Sequence, residues 1–293
     1  MKGIILAAGK GTRLYPVTKP VCKPLLPVYD KPMIYYPMSV LMNSGIREIL
    51  VITPPDDTKP FVDLLGDGSH LGIKITYIEQ KIQRGIADAF LIGKDFIGND
   101  SVCLALGDNI FYGPFFKRKL RQAAQIVNDG SAAIFGYYVA DPRAFGVVEF
   151  DSNGSAVSIE EKPSHPKSNY IVPGLYFYGP DVIRIAETIQ PSARGELEIT
   201  SVNEEYLKRG NLKVIALGKE FSWFDAGSAD SLYEAAGAIR AAQRSGNMIG
   251  CLEEIALKKG WINEDEFRKL ADSMNKTNYG QYLGALEWCR HTA

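Results

Sequence analysis

Apolar runs too dense for strict alternation recur through the first half of the chain, at Ile4 to Ala7, Ile49 to Thr53, Ile73 to Ile78, Val102 to Leu106 and Ala132 to Tyr138. Runs of this kind read as strands covered on both faces. Between them, apolar residues take helical spacing in Met33 to Met42, Pro60 to Leu65, Ile86 to Ile92 and Phe116 to Val127. Strand then helix, repeated, predicts an α/β fold: a Rossmann-like mixed, mainly parallel sheet flanked by helices. Ligands of such sheets meet the carboxyl ends of strands, so the turns after Leu6 and Leu106 are the places where a site is expected.

The pattern changes in the middle. Phe145 to Phe150, the turn Ser152-Asn153-Gly154 and Val157 to Glu161 predict a hairpin, and Tyr170 to Tyr178 predicts one further strand. These antiparallel strands would build a second wall of the cleft. From Ala229 onward the spacing is helical, with segments Ala235 to Gln243, Leu252 to Lys258, Glu264 to Met274 and Tyr279 to Trp288, punctuated by Gly246 and Gly260. The chain thus divides into an α/β core over residues 1–228 and a helical segment over 229–293 that serves packing or a subunit contact.

Thirty-three basic against thirty-four acidic residues leave a net charge of −1, so any affinity for phosphate must be local, and neither nucleic acid nor an anionic membrane is favoured as a partner. No apolar run approaches the ~20 residues that span a bilayer, and Met1-Lys2-Gly3 leads straight into a strand, which predicts a cytoplasmic protein. Cys22, Cys103, Cys251 and Cys289 are far apart, without zinc or disulfide spacing. His70, His165 and His291 are equally scattered, which argues against imidazole catalysis.

The turn Ala8-Gly9-Lys10-Gly11-Thr12, followed by Arg13, Lys19 and Lys23, has the makings of a polyphosphate grip. Small residues let backbone N–H groups point inward, and fixed positive charge stands just beyond them. It is neither a Walker loop, since Gly9-Lys10 is followed by Gly11, nor a dinucleotide fingerprint, since the third glycine is replaced by Leu14. A glycine turn without a ligand is the competing reading. Asp108 ends the most apolar strand, and Asp225 lies far downstream in Trp223-Phe224-Asp225-Ala226-Gly227. Two carboxylates plus phosphate oxygens suit Mg²⁺, although an Asp before Asn or Gly also serves as a turn former. Glu160-Glu161-Lys162-Pro163 is either a solvated charge cluster or a lysine placed for a phosphate beside a Glu161 that accepts from hydroxyls. Arg194 is a second phosphate candidate, and the acids after it can equally complement a helix start. Gln80 ends a strand and Gly85 opens a helix; an amide and a bare backbone suit the edge of a pyrimidine, and both residues are also common in loops.

Together these segments resemble the sugar-nucleotide transferase family in its thymidylyltransferase branch, over nearly the whole chain. The likeness is carried by Gly9 to Leu14, Lys23 to Pro37, Leu106-Gly107-Asp108-Asn109, Phe145 to Phe150, Glu160 to Pro163, Arg194 to Thr200 and Trp223 to Gly227. Lys31 to Pro37 and the helical tail are its most specific parts. The resemblance implies a nucleotide half over about residues 1–110 and a sugar-phosphate half over about 111–228. It implies that Gly9, Gly11, Thr12 and Arg13 hold the triphosphate of dTTP with Lys23 near its reacting phosphates, that Gln80 and Gly85 read thymine, and that Asp108 and Asp225 bind Mg²⁺. Gly146, Glu161, Gly174 and Tyr176 would line the hexose of glucose 1-phosphate, and Lys162 and Arg194 would hold its phosphate. Arg13, Lys23, Asp108 and Lys162 would carry catalysis. A homotetramer inhibited by dTDP-rhamnose or a related sugar, at a second site near Cys251, is implied as well. Ala8 replaces a frequent glycine, and Pro24 replaces a frequent glutamine. UTP or CTP, another hexose 1-phosphate, and a non-catalytic sugar-nucleotide sensor are the rivals.

Overall fold

The computed structural model describes residues 1–291, with side chains through Leu286. The thiol of Cys289 and the imidazole of His291 therefore lie outside the described residues. In chain order the elements are β1 (Lys2–Leu6), β2 (Pro27–Val28), β3 (Lys31–Pro32), α1 (Tyr35–Asn43), β4 (Glu48–Thr53), α2 (Thr58–Leu65), β5 (Lys74–Glu79), α3 (Asp88–Ile92), α4 (Lys94–Ile97) and β6 (Val102–Leu106). The middle contributes β7 (Asn109–Tyr112), α5 (Phe116–Asn128), β8 (Ala132–Tyr138), β9 (Gly146–Phe150), β10 (Ala156–Glu161), β11 (Tyr170–Ile171) and β12 (Leu175–Tyr178). There follow α6 (Val182–Thr188), α7 (Ile199–Lys208), β13 (Leu212–Ala216), β14 (Ser222–Asp225), α8 (Ala229–Arg244), α9 (Leu252–Lys258), α10 (Glu264–Ser273) and α11 (Asn278–His291).

Ten strands form one sheet in the order β10-β9-β11-β8-β12-β6-β1-β4-β5, with β13 joined to β8. The strands β5, β4, β1 and β6 are mutually parallel, as their buried apolar runs require. β12 then enters antiparallel between β6 and β8, and so fuses the two halves of the chain into one layer. The anticipated hairpin is present as β9 and β10, with a register shift between Ala156 and Ser158. Tyr170 to Tyr178, expected as one strand, is two. Pro173 lacks an N–H for the ladder, Gly174 follows it, and the chain crosses there from pairing with β8 and β9 to pairing with β6 and β8.

Helices pack on both faces. One apolar cluster takes in α1, α2, α5 and the tail, from Ile5 and Met38 through Phe135 to Ile255, Phe267 and Leu283. A second lies under α3, α6 and α7, around Phe90, Tyr178, Ile185 and Val202, and a third packs Ala235 and Ile239 of α8 against Leu14, Val28 and Tyr36. The tail is held by polar contacts too: Lys31, 2 % exposed, donates to Asp30 Oδ1 at 2.6 Å and to Gln243 Oε1 at 2.8 Å, with its ammonium over the Tyr279 ring at 5.2 Å. Among the described residues no helix is long and apolar enough to cross a membrane.

Candidate active site

β1 ends under the turn 8–12, and the buried Leu14 anchors the exposed residues on either side of it. Gly11 stands at φ +59°, in the left-handed region, and a Cβ there would lie 2.8 Å from the Thr18 methyl. Its glycine is thus required by the chain itself. Gly9 differs: nothing comes within 4 Å of where its Cβ would be. Gly9, Lys10, Thr12 and Arg13 all face solvent at the carboxyl end of β1, around a short 3-10 turn, Thr12–Leu14.

Two carboxylates are brought together by a small ribbon. β14 pairs antiparallel with β7 in a register that sets Asp225 opposite Asn109, and the Ala226 N–H donates to the Asp108 carbonyl at 3.2 Å. Gly107 permits the approach of β6 to β1, since a Cβ there would lie 3.0 Å from the Leu6 carbonyl oxygen. Lys23, whose side chain is 7 % exposed, donates to Asp108 Oδ2 and lies 3.8 Å from Asp225 Oδ1. Arg13 reaches Asp225 Oδ2 at 3.8 Å, and a side chain at Gly227 would collide with that guanidinium at 2.5 Å. Burial, with Asp108 as the next cause, raises the Asp225 pKa above its ordinary value.

The opposite wall is set by the β9–β10 hairpin and α7. Glu161, last residue of β10, pairs with Gly146, and accepts from the Thr200 hydroxyl and from Arg194 at 3.4 Å. Lys162 takes φ +45°, a strained value for a lysine, and its N–H donates to the Phe145 carbonyl at 3.0 Å. Phe145 meets Trp223 edge to face at 5.3 Å, joining this wall to β14. One cleft of about 160 Å³ is lined by Arg13, Asp108, Asp225, Gly146, Glu161, Lys162, Gly174 and Tyr176 together. Burial, with Glu161 and Asp108 close by, keeps the Tyr176 hydroxyl protonated by raising its pKa. Lys162 also borders an adjoining cavity of about 360 Å³ with Arg194. Arg194 is engaged there by Glu161, Glu196 and Glu198.

Gly9, Gly11, Thr12, Lys23, Gln80 and Gly85 are not among the residues lining that cleft, although Lys23 lies behind its two carboxylates. Gln80 is 3 % exposed and donates through Nε2 to Asp88 Oδ2 at 2.9 Å, while Arg84 holds the other oxygen of Asp88 at 2.7 Å. Gly85 has φ +101°, and its Cβ position is 2.5 Å from the Leu197 carbonyl, so contact within the chain already demands glycine there. Asn109 stands in the sequence only as the neighbour of Asp108, with no role assigned to it. It is 3 % exposed, donates to Asp108 Oδ1 at 2.8 Å, and accepts from Gly174 N–H at 3.1 Å and Trp223 Nε1 at 2.7 Å. One amide therefore holds a carboxylate, β12 and β14 in fixed relation. The only signal for it in the sequence was an amide placed at the start of an apolar run.

The donor set suits a hard divalent ion. Asp108 and Asp225 both reach a single ammonium, so the two carboxylates converge on one place. Such a pair matches Mg²⁺, which fills its shell with water and substrate oxygens.

A sheet with cations and carboxylates gathered beyond the ends of parallel strands defines a class: α/β proteins that take phosphorylated ligands at that edge. The chain belongs within it to the nucleotidyl transferase family, whose model matches residues 2–242. It is 56 % identical over 284 residues to a glucose-1-phosphate thymidylyltransferase of Neisseria meningitidis, covering 97 % of this chain and 98 % of that one. A Mycolicibacterium smegmatis protein of the same name is 54 % identical over the same share of each chain. A Bacillus anthracis crystal structure, provisionally named glucose-1-phosphate thymidylyltransferase and holding sucrose, superposes with a TM-score of 0.75 at 41 % identity, over 82 % of this chain and 95 % of its own.

Proposed function

We propose that the protein transfers a thymidylyl group from dTTP to glucose 1-phosphate, giving dTDP-glucose and pyrophosphate. The observation that carries this reading is the shared cleft: Arg13, Asp108 and Asp225 on one wall and Lys162 with Glu161 on the other. A phosphate oxygen of the sugar phosphate attacks the α-phosphorus in line, the bond to the bridging oxygen breaks, and pyrophosphate leaves with that oxygen. No protein nucleophile is needed, because this chemistry is governed by positioning and charge. Two anions about 4 Å apart repel by about 4 kcal/mol per unit charge pair at an effective dielectric near 20. Lys162 holds the sugar phosphate, Arg13 and the turn at Gly9 hold the triphosphate, and Lys23 offsets charge between them. Asp108 and Asp225 would hold Mg²⁺, whose charge, when bound, offsets that of the triphosphate. Gln80 reads the base beside Gly85, and Glu161, Gly146, Gly174 and Tyr176 enclose the hexose, with Arg194 released toward phosphate from its carboxylates.

Pyrophosphate release over a panel of nucleotides and sugar phosphates is the test. dTTP with glucose 1-phosphate should be the best pair, with partial use of UTP about 10–200-fold behind, because one methyl group in a pocket is worth only about 1–3 kcal/mol. Absence of release with every pair would leave a sugar-nucleotide sensor instead. A larger cavity of about 650 Å³, lined by Phe111 to Lys117 and Asn247 to Cys251, supports a second nucleotide site for dTDP-rhamnose or a related end product. A homotetramer and a place at the head of dTDP-deoxysugar synthesis complete the reading.

A further inference from the structure

Asn203 lies on α7 one turn beyond Thr200, and it borders the same cleft as Gly146, Glu161 and Tyr176. Only 1 % of it is exposed. Its Oδ1 accepts from the Tyr178 hydroxyl at 2.5 Å. Tyr178 is held in turn by stacking on Tyr206, centroids 5.3 Å apart, and by an edge contact with Phe90 at 5.5 Å. This arrangement decides the amide's orientation: reversing it would leave both the Tyr178 proton and the amide oxygen without partners. Nδ2 is then the free end. It has no hydrogen-bond partner among the described residues, a state shared there by one other buried side-chain atom, Thr76 Oγ1. An orphaned amide nitrogen inside a protein is unfavourable, and one beside a ligand cleft marks a place where a ligand supplies the missing acceptor.

We propose that Asn203 is a specificity-determining residue for the sugar, its Nδ2 donating to one hydroxyl oxygen of the bound hexose. The inference rests on the transferase reading above. An amide nitrogen has donors and no lone pair, so it needs an oxygen with one. A sugar that carries hydrogen at that carbon leaves the amide unpaired, and one that carries a protonated amine there sets donor against donor.

The test uses glucose 1-phosphate and its four monodeoxy analogues with dTTP and Mg²⁺, comparing kcat/KM from pyrophosphate release in the wild type and in Asn203→Leu. The wild type should lose about 10–100-fold on the analogue that lacks the hydroxyl paired with Asn203, the usual cost of one buried donor left unsatisfied. Asn203→Leu should lose about as much on the parent sugar phosphate and nothing further on that analogue, while keeping the penalties on the other three. Retention of the wild-type penalty on all four by a folded variant overturns the inference and leaves the transferase reading standing. If the wild type turns over no sugar phosphate at all, both fall. Should the leucine variant not fold, Asn203→Asp keeps the Tyr178 bond and exchanges donor for acceptor. It should lose on the parent and gain on the amino sugar 1-phosphate substituted at the same carbon; a variant with unchanged preference sinks the proposal.

Discussion

Lys23, with Arg13 beside Asp225, offsets the charge of the two carboxylates, and that arrangement sets opposite demands on stability and function. A carboxylate whose folded pKa is raised costs stability wherever it is ionised, and the cost disappears as pH falls through that pKa to the ordinary value. Asp225→Asn should therefore melt at or above the wild-type temperature at pH 7 without metal, with the gap closing as the pH is lowered toward the ordinary carboxylate range, while pyrophosphate release is lost. Lower stability for this variant at neutral pH would contradict the assigned cause. Asp108→Asn and Lys162→Ala should each reduce turnover by about 10²–10³, the usual loss for one preorganised charged contact, with circular dichroism unchanged. Gly9→Ala separates ligand from fold: with no atom near its Cβ, its stability should stay within about 0.5 kcal/mol of wild type, and the KM for dTTP should rise several-fold. Asp108 was legible because it ends an apolar run, Asp225 because it stands among aromatic and small residues, and Lys162 because it sits in a charge cluster that closes a hairpin. Asn109 was not, since its role comes from a β14 partner more than a hundred residues away, and no local pattern records that.

Among the elements, the tie between residues 83–87 and the approach to α7 carries its own prediction. The Leu197 N–H donates to the Arg84 carbonyl at 2.6 Å, the Ala87 N–H donates to the Leu197 carbonyl at 3.1 Å, and Gly85 lies against that backbone. Gly85→Ala meets both positive φ and collision, so it should cost about 1–3 kcal/mol, read as a lower urea midpoint at unchanged slope. Equal midpoints would show that the loop yields. The long apolar strands of the first half and helices α1, α2, α3 and α5 were readable from spacing, because burial on both faces or on one face leaves a periodic trace, whereas α6 and β13 were not read. β2, β3, β7 and β14 were not. They are two to four residues long, too short for a period to show, and they exist through their partners.

At the scale of the molecule, the sheet order was beyond local pattern for the same reason, since an antiparallel β12 between β6 and β8 is a long-range choice. The tail's attachment is testable. Lys31→Met leaves Asp30 and Gln243 without their shared cation, and it should cost about 3 kcal/mol, the low end for breaking a buried pair because Asp30 keeps some contact with solvent. Faster proteolysis within residues 229–286 should accompany it; an unaltered melting temperature would mean that apolar packing alone fastens these helices.

The insertion of β12 bears on how substrates get in. A continuous layer of hydrogen-bonded strands underlies both halves of the crevice, so the two walls cannot swing apart like the covers of a book. Any widening of the crevice then has to come from segments outside that layer, such as the largely solvent-exposed stretch from Gly9 to Lys19.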